Sequence, residues 1–243
     1  MKTNNRFAQL RSVPMTLFQK TMAFGACLAA LACTPAFAQN NNTVFVGLYS
    51  VYYHVNADDV SGPFTPPGLN ADVNNVETLY LAYVRRLSTH FQAELTAGVP
   101  PQTDTIARGP AFVGSVPYNG QTIGHVSWFA PTALLHYVFF DDSARWRPYV
   151  GVGVNFTHFF DREINAAGQA VFGGPTRISL TNSVGPAVSL GLRYEPQEHW
   201  KVIASVNAAR VKSDLTADTA GITRRTTVDF RPIAIVFAMG YSF

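Results

Sequence analysis

Two side chains of the types used in nucleophilic catalysis lie close together in the sequence. His125 and Ser127 are two positions apart, so they share one face if the segment is a β-strand. A serine nucleophile needs a histidine beside its Oγ and a carboxylate that orients the histidine. The sequence offers no identifiable carboxylate partner, and a spacing of two residues is common by chance. We therefore expect no enzymatic activity.

Residues that could bind a metal ion or a cofactor are scattered. The histidines are His54, His90, His125, His136, His158 and His199. None of them forms a pair with helical metal-binding spacing. Gly151-Val152-Gly153 lies inside a predicted strand and opens no helix, so it is not a nucleotide-binding loop. Asp141-Asp142 is interpreted as a solvated turn, and we expect no cofactor and no metal.

The amino-terminal segment 1–38 has the three parts of a secretory signal peptide. Basic residues without acids come first, residues 21–33 are apolar, and Ala36-Phe37-Ala38 provides a cleavage site. A lipoprotein signal ending at Cys33 is the alternative, but Ala30 stands where leucine is usual. Removal of this segment leaves residues 39–243 without cysteine, so the exported domain cannot contain a disulfide.

Composition excludes several classes of protein. Hydrophobic residues make up 47% of the chain, aromatic residues 13% and charged residues only 14%, which excludes a disordered tail. The formal net charge of +3 is small and not clustered, so we expect no nucleic-acid partner. No segment after residue 38 has 18 uncharged apolar residues, which excludes a transmembrane helix.

Alternation of apolar and polar residues predicts eight strands. Their approximate ranges are 43–55, 74–87, 91–102, 123–140, 147–160, 179–195, 200–214 and 226–243. The connections alternate between short turns and long segments at 56–73, 103–122, 161–178 and 215–225. A soluble sandwich would also have about eight strands, but not this alternation of connection length. The pattern predicts an eight-stranded antiparallel transmembrane β-barrel with short periplasmic turns and long extracellular loops.

Aromatic residues support the membrane assignment because they collect near the short-turn ends of the strands. These residues are Tyr83, Phe91, Tyr137, Phe139, Trp146, Tyr194, Trp200, Tyr241 and Phe243. The last strand is large and apolar at every second position and ends in an aromatic residue. Its alternating residues Phe237, Met239, Tyr241 and Phe243 resemble the signal that the barrel assembly machinery recognises.

Several segments resemble the OmpW family of small outer-membrane barrels. The resemblance is carried by residues 147–157 (RPYVGVGVNFT) with Phe159-Phe160-Asp161, by Pro131-Thr132, by Gly191-Leu192-Arg193-Tyr194 with Trp200, by Gly98-Val99-Pro100 and by the Gly-Tyr-Ser-Phe terminus. One departure is Arg231 before Pro232, where the family often has aspartate.

The resemblance implies a channel in the cell outer membrane that takes up small hydrophobic molecules, some relatives lying beside hydrocarbon-degrading pathways. Solutes would pass from the loops into an apolar upper lumen and leave sideways into the bilayer. Expected partners are outer-membrane lipid, lipopolysaccharide, a hydrophobic solute and the barrel assembly machinery. The alternatives are a structural or surface-receptor barrel and a lipid-modifying enzyme, since His125 and Ser127 resemble the arrangement in a lipid A deacylase.

The predicted lumen and exit follow from the residues. An eight-stranded barrel is filled by its side chains. We expect the charged lumen residues to pair and close the lower half, the lumen candidates being Arg86, Glu94, Thr132, His136, Arg193 and Glu195. Pro100 and Pro101 cannot donate ladder hydrogen bonds, and Gly98 has no side chain to obstruct the wall. These three residues mark either a lateral opening or simply the end of a strand. Loop residues that could line an apolar entrance are Phe64, Phe112, Val113, Val171 and Phe172.

Overall fold

The computed structural model describes residues 41–113 and 115–243, so the predicted signal peptide lies outside the described residues. Its elements are β1 (Asn42–Tyr53), β2 (Asn56–Ala57), β3 (Asn70–Val73), β4 (Val76–Arg86), β5 (Phe91–Thr96), β6 (Gln102–Arg108), β7 (Phe112–Val113), β8 (Val116–Pro117), β9 (Thr122–Phe129), β10 (Thr132–Val138), β11 (Trp146–Ile164), α1 (Ala166–Phe172), β12 (Thr176–Leu180), β13 (Ser183–Tyr194), β14 (Trp200–Ala209), β15 (Lys212–Thr219), β16 (Ile222–Asp229) and β17 (Pro232–Ser242). No helix among these elements is long and apolar enough to cross a membrane.

Eight antiparallel strands close into a barrel. The order around the wall is β1, β4, β5, β10, β11, β13, β14 and β17, and β17 pairs with β1 to complete the circle. The closing ladder runs from Thr43 opposite Ser242 to Tyr53 opposite Pro232. Short turns at 87–90, 139–145 and 195–199 join neighbouring strands at the periplasmic end. The predicted barrel is therefore confirmed.

The wall continues beyond the barrel on the side of the long loops. One extension is formed by β3, β6, β9 and the end of β11, and the other by β12, β15, β16 and β2. The predicted long connection at 215–225 is wrong. There β15 and β16 pair as far as Thr219 opposite Ile222, and the turn is Ala220-Gly221, with φ of 50° and 89°. Most residues of these two strands are polar because the strands lie above the bilayer. The sequence of this segment therefore resembles that of a loop.

The two faces of the wall differ as the alternation predicts. In β13 the side chains of Val184, Val188 and Leu190 are exposed outward, whereas Ser189 and Arg193 are buried inside. At the periplasmic rim Trp146 stacks on Tyr194, and Trp200 packs edge-on against Tyr241. An exposed apolar band above an aromatic girdle is the surface that a bilayer requires.

Candidate functional site

The upper lumen contains an apolar cavity of about 170 Å³. Among its many lining residues are the aromatic side chains of Tyr49, Tyr53, Trp128, Phe159 and Phe230, together with valines, leucines and alanines from most strands. No lining residue carries a charge, and the polar side chains are six threonines, two asparagines and four tyrosines. A cavity of ~150 Å³ lined by hydrocarbon side chains stays dry and binds benzene. The chemistry of this lining therefore favours small uncharged apolar molecules.

A second cluster of apolar residues lies among the loops above the cavity. Leu69, Ala107, Tyr118 and Ile123 are buried together, and Phe172 and Val171 from the end of α1 pack against them. Burial raises the pKa of the Tyr118 phenol. Of the predicted entrance residues, Phe172 lines the cavity and Val171 joins the cluster. Phe64 and Phe112 are exposed instead, and the side chain of Val113 is outside the described part.

The floor of the cavity is polar and begins at Glu94. The Tyr80 hydroxyl donates to Glu94 Oε1 at 2.8 Å, and His136 Nδ1 lies 3.7 Å from Glu94 Oε2. Both Glu94 and His136 are buried. The His136 ring packs on Tyr149 at 4.8 Å, and a Cβ at Gly151 would lie only 2.1 Å from His136 Cδ2. Gly151 therefore makes room for the imidazole inside a strand.

Arg193 forms the next layer of the floor. Its guanidinium donates to the Gln92 side-chain oxygen and lies 3.7 Å from Glu195 Oε1. Glu195 in turn accepts from Lys201 Nζ at 2.7 Å. The Arg193 guanidinium is also 5.7 Å from the centre of the Tyr149 ring. The lower lumen is thus occupied by interlocked polar side chains.

A third layer closes the periplasmic end, and most of it was not predicted from the sequence. Arg147 is almost fully buried and donates to Asp142 Oδ1 at 2.7 Å and to the carbonyls of Thr89 and Phe140. Arg86 also pairs with Asp142, so its partner is this turn residue and not a carboxylate of the lumen. Asp142 lies in an exposed turn, as the sequence predicts, and it is also a structural ion-pair partner.

The environment of Asp142 is electrostatically favourable for its charged form. Partial burial raises the pKa of the Asp142 carboxyl, but the hydrogen bonds and charges of Arg86 and Arg147 outweigh that effect and hold the pKa below its usual value. The only signal in the sequence that placed Arg147 inside the barrel was its spacing of two residues from Tyr149, because residues two apart in a strand point to the same face.

The hydrogen-bond ladder between β5–β6 and β9–β10 is interrupted. Pairing ends at Thr96 opposite Thr132 and resumes at Gln102 opposite Ser127, with one extra residue on the β5–β6 side. Between these pairs the described backbone contributes one bond, from Trp128 N to Pro101 O at 3.3 Å. The Ala130 carbonyl accepts from the Asn155 and Thr132 side chains at 3.5 and 3.4 Å.

Pro100 lies on the side of its strand that faces this break. The N–H of Val99 bonds to Leu79 O in β4, and the Val99 carbonyl accepts from Thr78 Oγ1. Because successive residues of a strand alternate sides, Pro100 faces β10, where it has no N–H to donate. On the β4 side the N–H groups of Ala97 and Val99 both bond to β4, whereas on the other side the segment 97–101 has only the bond from Trp128 N to Pro101 O.

Tyr49 covers the break from inside the lumen. A Cβ at Gly98 would lie 2.6 Å from Tyr49 Oη and 2.7 Å from Tyr49 Cε1. Gly98 therefore provides space for the phenol, and the wall here is not left unobstructed. Thr96, Gly98, Ala130 and Thr132 all line the cavity, so the cavity and the ladder break adjoin.

The remaining candidate residues lie outside the cavity. His125 and Ser127 alternate with Val126 and Trp128, which line the cavity, so they belong to the opposite face, and His125 Nε2 lies 3.6 Å from Glu163. In residues 41–113 and 115–243 no group of three or more His, Cys, Asp or Glu could hold a metal.

The last strand presents its alternating large side chains outward. Phe237, Met239, Tyr241 and Phe243 are all exposed on the lipid side of β17. Phe243 exchanges two backbone hydrogen bonds with Asn42 at 2.8 and 3.2 Å.

Comparisons with known proteins agree with this architecture. The model of the OmpW family matches residues 44–243. Outer membrane protein W of Vibrio cholerae is 28% identical over 227 residues, which cover 93% of this chain and 100% of the relative. The dibenzothiophene metabolism operon protein PahQ of Pseudomonas aeruginosa is 22% identical, covering 89% and 94%. The crystal structure of OprG from Pseudomonas aeruginosa superposes with a TM-score of 0.74 at 21% identity, covering 84% and 96%.

Proposed function

The chain belongs to the OmpW family and resides in the outer membrane, and from this premise we propose that it is a passive channel for small hydrophobic molecules. Solutes enter from the loop side, occupy the cavity and leave sideways into the bilayer between β5–β6 and β9–β10. The observation that carries the proposal is that an uncharged cavity adjoins the interrupted ladder at Thr96, Gly98, Ala130 and Thr132.

The floor of the lumen supports a sideways route. A hydrophobic solute that continued toward the periplasm would have to displace the buried polar groups of Glu94, His136 and Arg193. Breaking such buried interactions costs several kcal/mol, about 3–5 for one ion-pair partner. Exit into lipid costs the solute no desolvation, because lipid tails are as apolar as the cavity. The floor therefore acts as a barrier and the ladder break as the exit.

The chemical class of the cargo follows from the lining. Aromatic rings from Tyr49, Tyr53, Trp128, Phe159 and Phe230 suit flat uncharged molecules, which pack well against ring faces and edges. One relative is named for a dibenzothiophene metabolism operon. Dibenzothiophene is therefore a suitable probe. Catalysis is not part of the proposal, since His125 and Ser127 lie on the outer face of the wall, away from the cavity.

We also propose how the chain reaches the outer membrane and is inserted there. Residues 1–38 direct export and are removed, and the alternating end of β17 up to Phe243 is recognised by the barrel assembly machinery.

The proposal is tested by narrowing the passage between cavity and break. Ala130→Phe places a ring at this junction, whereas Ala133→Phe adds the same ring three residues along on the exposed lipid face. Cells that express each variant take up labelled dibenzothiophene, and cells without the gene give the background. We expect uptake to fall toward background for Ala130→Phe and to stay at the wild-type level for Ala133→Phe. Equal wild-type uptake by two correctly folded variants would contradict the proposal.

A further inference from the structure

Two arginines face each other on the outside of the wall, on strands other than those that form the ladder break. The ladder between β14 and β17 ends at Ala208 opposite Ile233. Two residues further, the same register places Arg210 opposite Arg231. Their side chains are 65% and 57% exposed. Like charges directly opposite each other on neighbouring strands are unfavourable unless an anion lies between them.

The height of the arginine pair follows from the girdle below it. Trp200 and Tyr241 are opposite each other at the periplasmic rim, and each is ten residues along the chain from the arginine just beyond the end of its strand. Ten residues extend roughly 34 Å along a strand. At a strand tilt of about 40° this distance projects to ~26 Å, which equals the thickness of the outward apolar band of such barrels. Arg210 and Arg231 therefore lie at the headgroup level of the outer leaflet.

Asp229 holds the two guanidinium groups in place. Its Oδ2 lies 3.1 Å from Arg231 Nε and 4.0 Å from Arg210 Nη2, and the aspartate is buried beneath them. One carboxylate under two guanidiniums leaves a local charge of +1. Arg231 has a φ of 41°, a left-handed conformation that is strained for arginine. Backbone strain of this kind is found where a side chain is held in place for a function, here the Arg231 guanidinium.

The surroundings of the arginine pair are those of a lipid site. Pro186, Val188, Ala208 and Ala209 form a shallow apolar groove with Arg210, Asp229 and Arg231. Lys212, opposite Asp229, adds an exposed cation on the loop side. A ligand that fits has an anionic head for the arginines and an acyl chain for the groove. The outer leaflet supplies that combination in the phosphorylated lipid A part of lipopolysaccharide.

We propose that Arg210 and Arg231 bind a phosphate group of lipid A on the outer wall of the barrel. Guanidinium groups bind phosphate through two parallel hydrogen bonds, which gives them an advantage over lysine at such a site. The site anchors lipopolysaccharide at the seam between β14 and β17 and does not depend on solute transport.

The test uses the folded full-length barrel in detergent and native mass spectrometry with added lipids. The variant is Arg210→Gln with Arg231→Gln. The matched control is Arg177→Gln with Arg225→Gln, which removes two exposed arginines of the loop-side extension. The lipids are bisphosphorylated lipid A, its dephosphorylated form and phosphatidylglycerol. Heat-modifiable migration on gels checks that every variant is folded.

The wild type and the control are expected to retain bisphosphorylated lipid A in preference to the other two lipids. The double variant at 210 and 231 is expected to bind it about tenfold or more weakly, with no preference left. Equal binding by this variant and the wild type overturns the site. A wild type that prefers phosphatidylglycerol, or that binds dephosphorylated lipid A equally well, overturns the assignment to lipid A phosphate.

Discussion

Removal of the Arg193 side chain should destabilise the barrel more than removal of a side chain that faces lipid. Arg193 is only 3% exposed and contacts Gln92, Glu195 and the Tyr149 ring inside the lumen. Its neighbour Leu192 points outward and is 39% exposed. The substitutions Arg193→Ala and Leu192→Ala therefore compare the two faces of one strand at adjacent positions.

The expected magnitude differs between the two variants. Loss of one partner from a buried ion pair costs about 3–5 kcal/mol of unfolding free energy. Glu195 keeps Lys201 as a partner at 2.7 Å, so the cost for Arg193→Ala should lie near the lower end, about 3 kcal/mol. Leu192→Ala loses contact with lipid and leaves no cavity in the wall, so roughly 1–2 kcal/mol is expected.

Urea unfolding of the two variants in lipid vesicles, followed by tryptophan fluorescence, measures this difference. Both variants must first migrate as folded barrels without heating. An unfolding free energy for Arg193→Ala that equals or exceeds that of Leu192→Ala would refute the role of Arg193 in a tight polar floor.

Three further outcomes are expected. Deletion of Phe243 should reduce the amount of heat-modifiable barrel in outer-membrane fractions, because the terminal aromatic and its backbone pairing are lost; a normal amount would exclude an assembly signal there. Arg86 and Arg147 lower the pKa of Asp142, so its charged form stabilises the fold at neutral pH. The unfolding free energy of the wild type should exceed that of Asp142→Asn by a constant amount above pH ~4, and this difference should disappear as the pH falls through the lowered pKa. A difference that persists in acid would contradict the pairing. Tyr49→Ala should uncover the ladder break and raise dibenzothiophene uptake, and a lower uptake by a folded variant would show that the phenol does not obstruct the exit.

The barrel could be predicted because alternation, turn length and the aromatic rim are local properties of the sequence. The extent of the strands could not, because β15 and β16 continue above the bilayer with polar residues on both faces. The turn residues Ala220-Gly221 could not be recognised within this polar segment. Both have positive φ, which is usual for a two-residue hairpin turn.

The candidate site was predictable in part. Pro100 and Pro101 indicated a weak point, but the strand that faces it depends on register, which only the fold establishes. The alternation of side chains along each strand placed Glu94, His136 and Arg193 inside. It could not identify the partners Tyr80 and Gln92, because they come from other positions along the wall. The contact of Tyr49 with Gly98 joins residues 49 positions apart and has no signature in the sequence.

Hydrophobic solutes are proposed to leave through the interrupted ladder at Pro100. Pro100→Ala with Pro101→Val restores backbone donors in this segment, and Pro148→Ala is the matched control in β11, within a complete ladder. Dibenzothiophene uptake and the folded fraction are measured in the same cells. Lateral exit predicts that uptake falls toward the background of cells without the gene for the double variant and stays at the wild-type level for Pro148→Ala. Wild-type uptake by a fully folded double variant would contradict it.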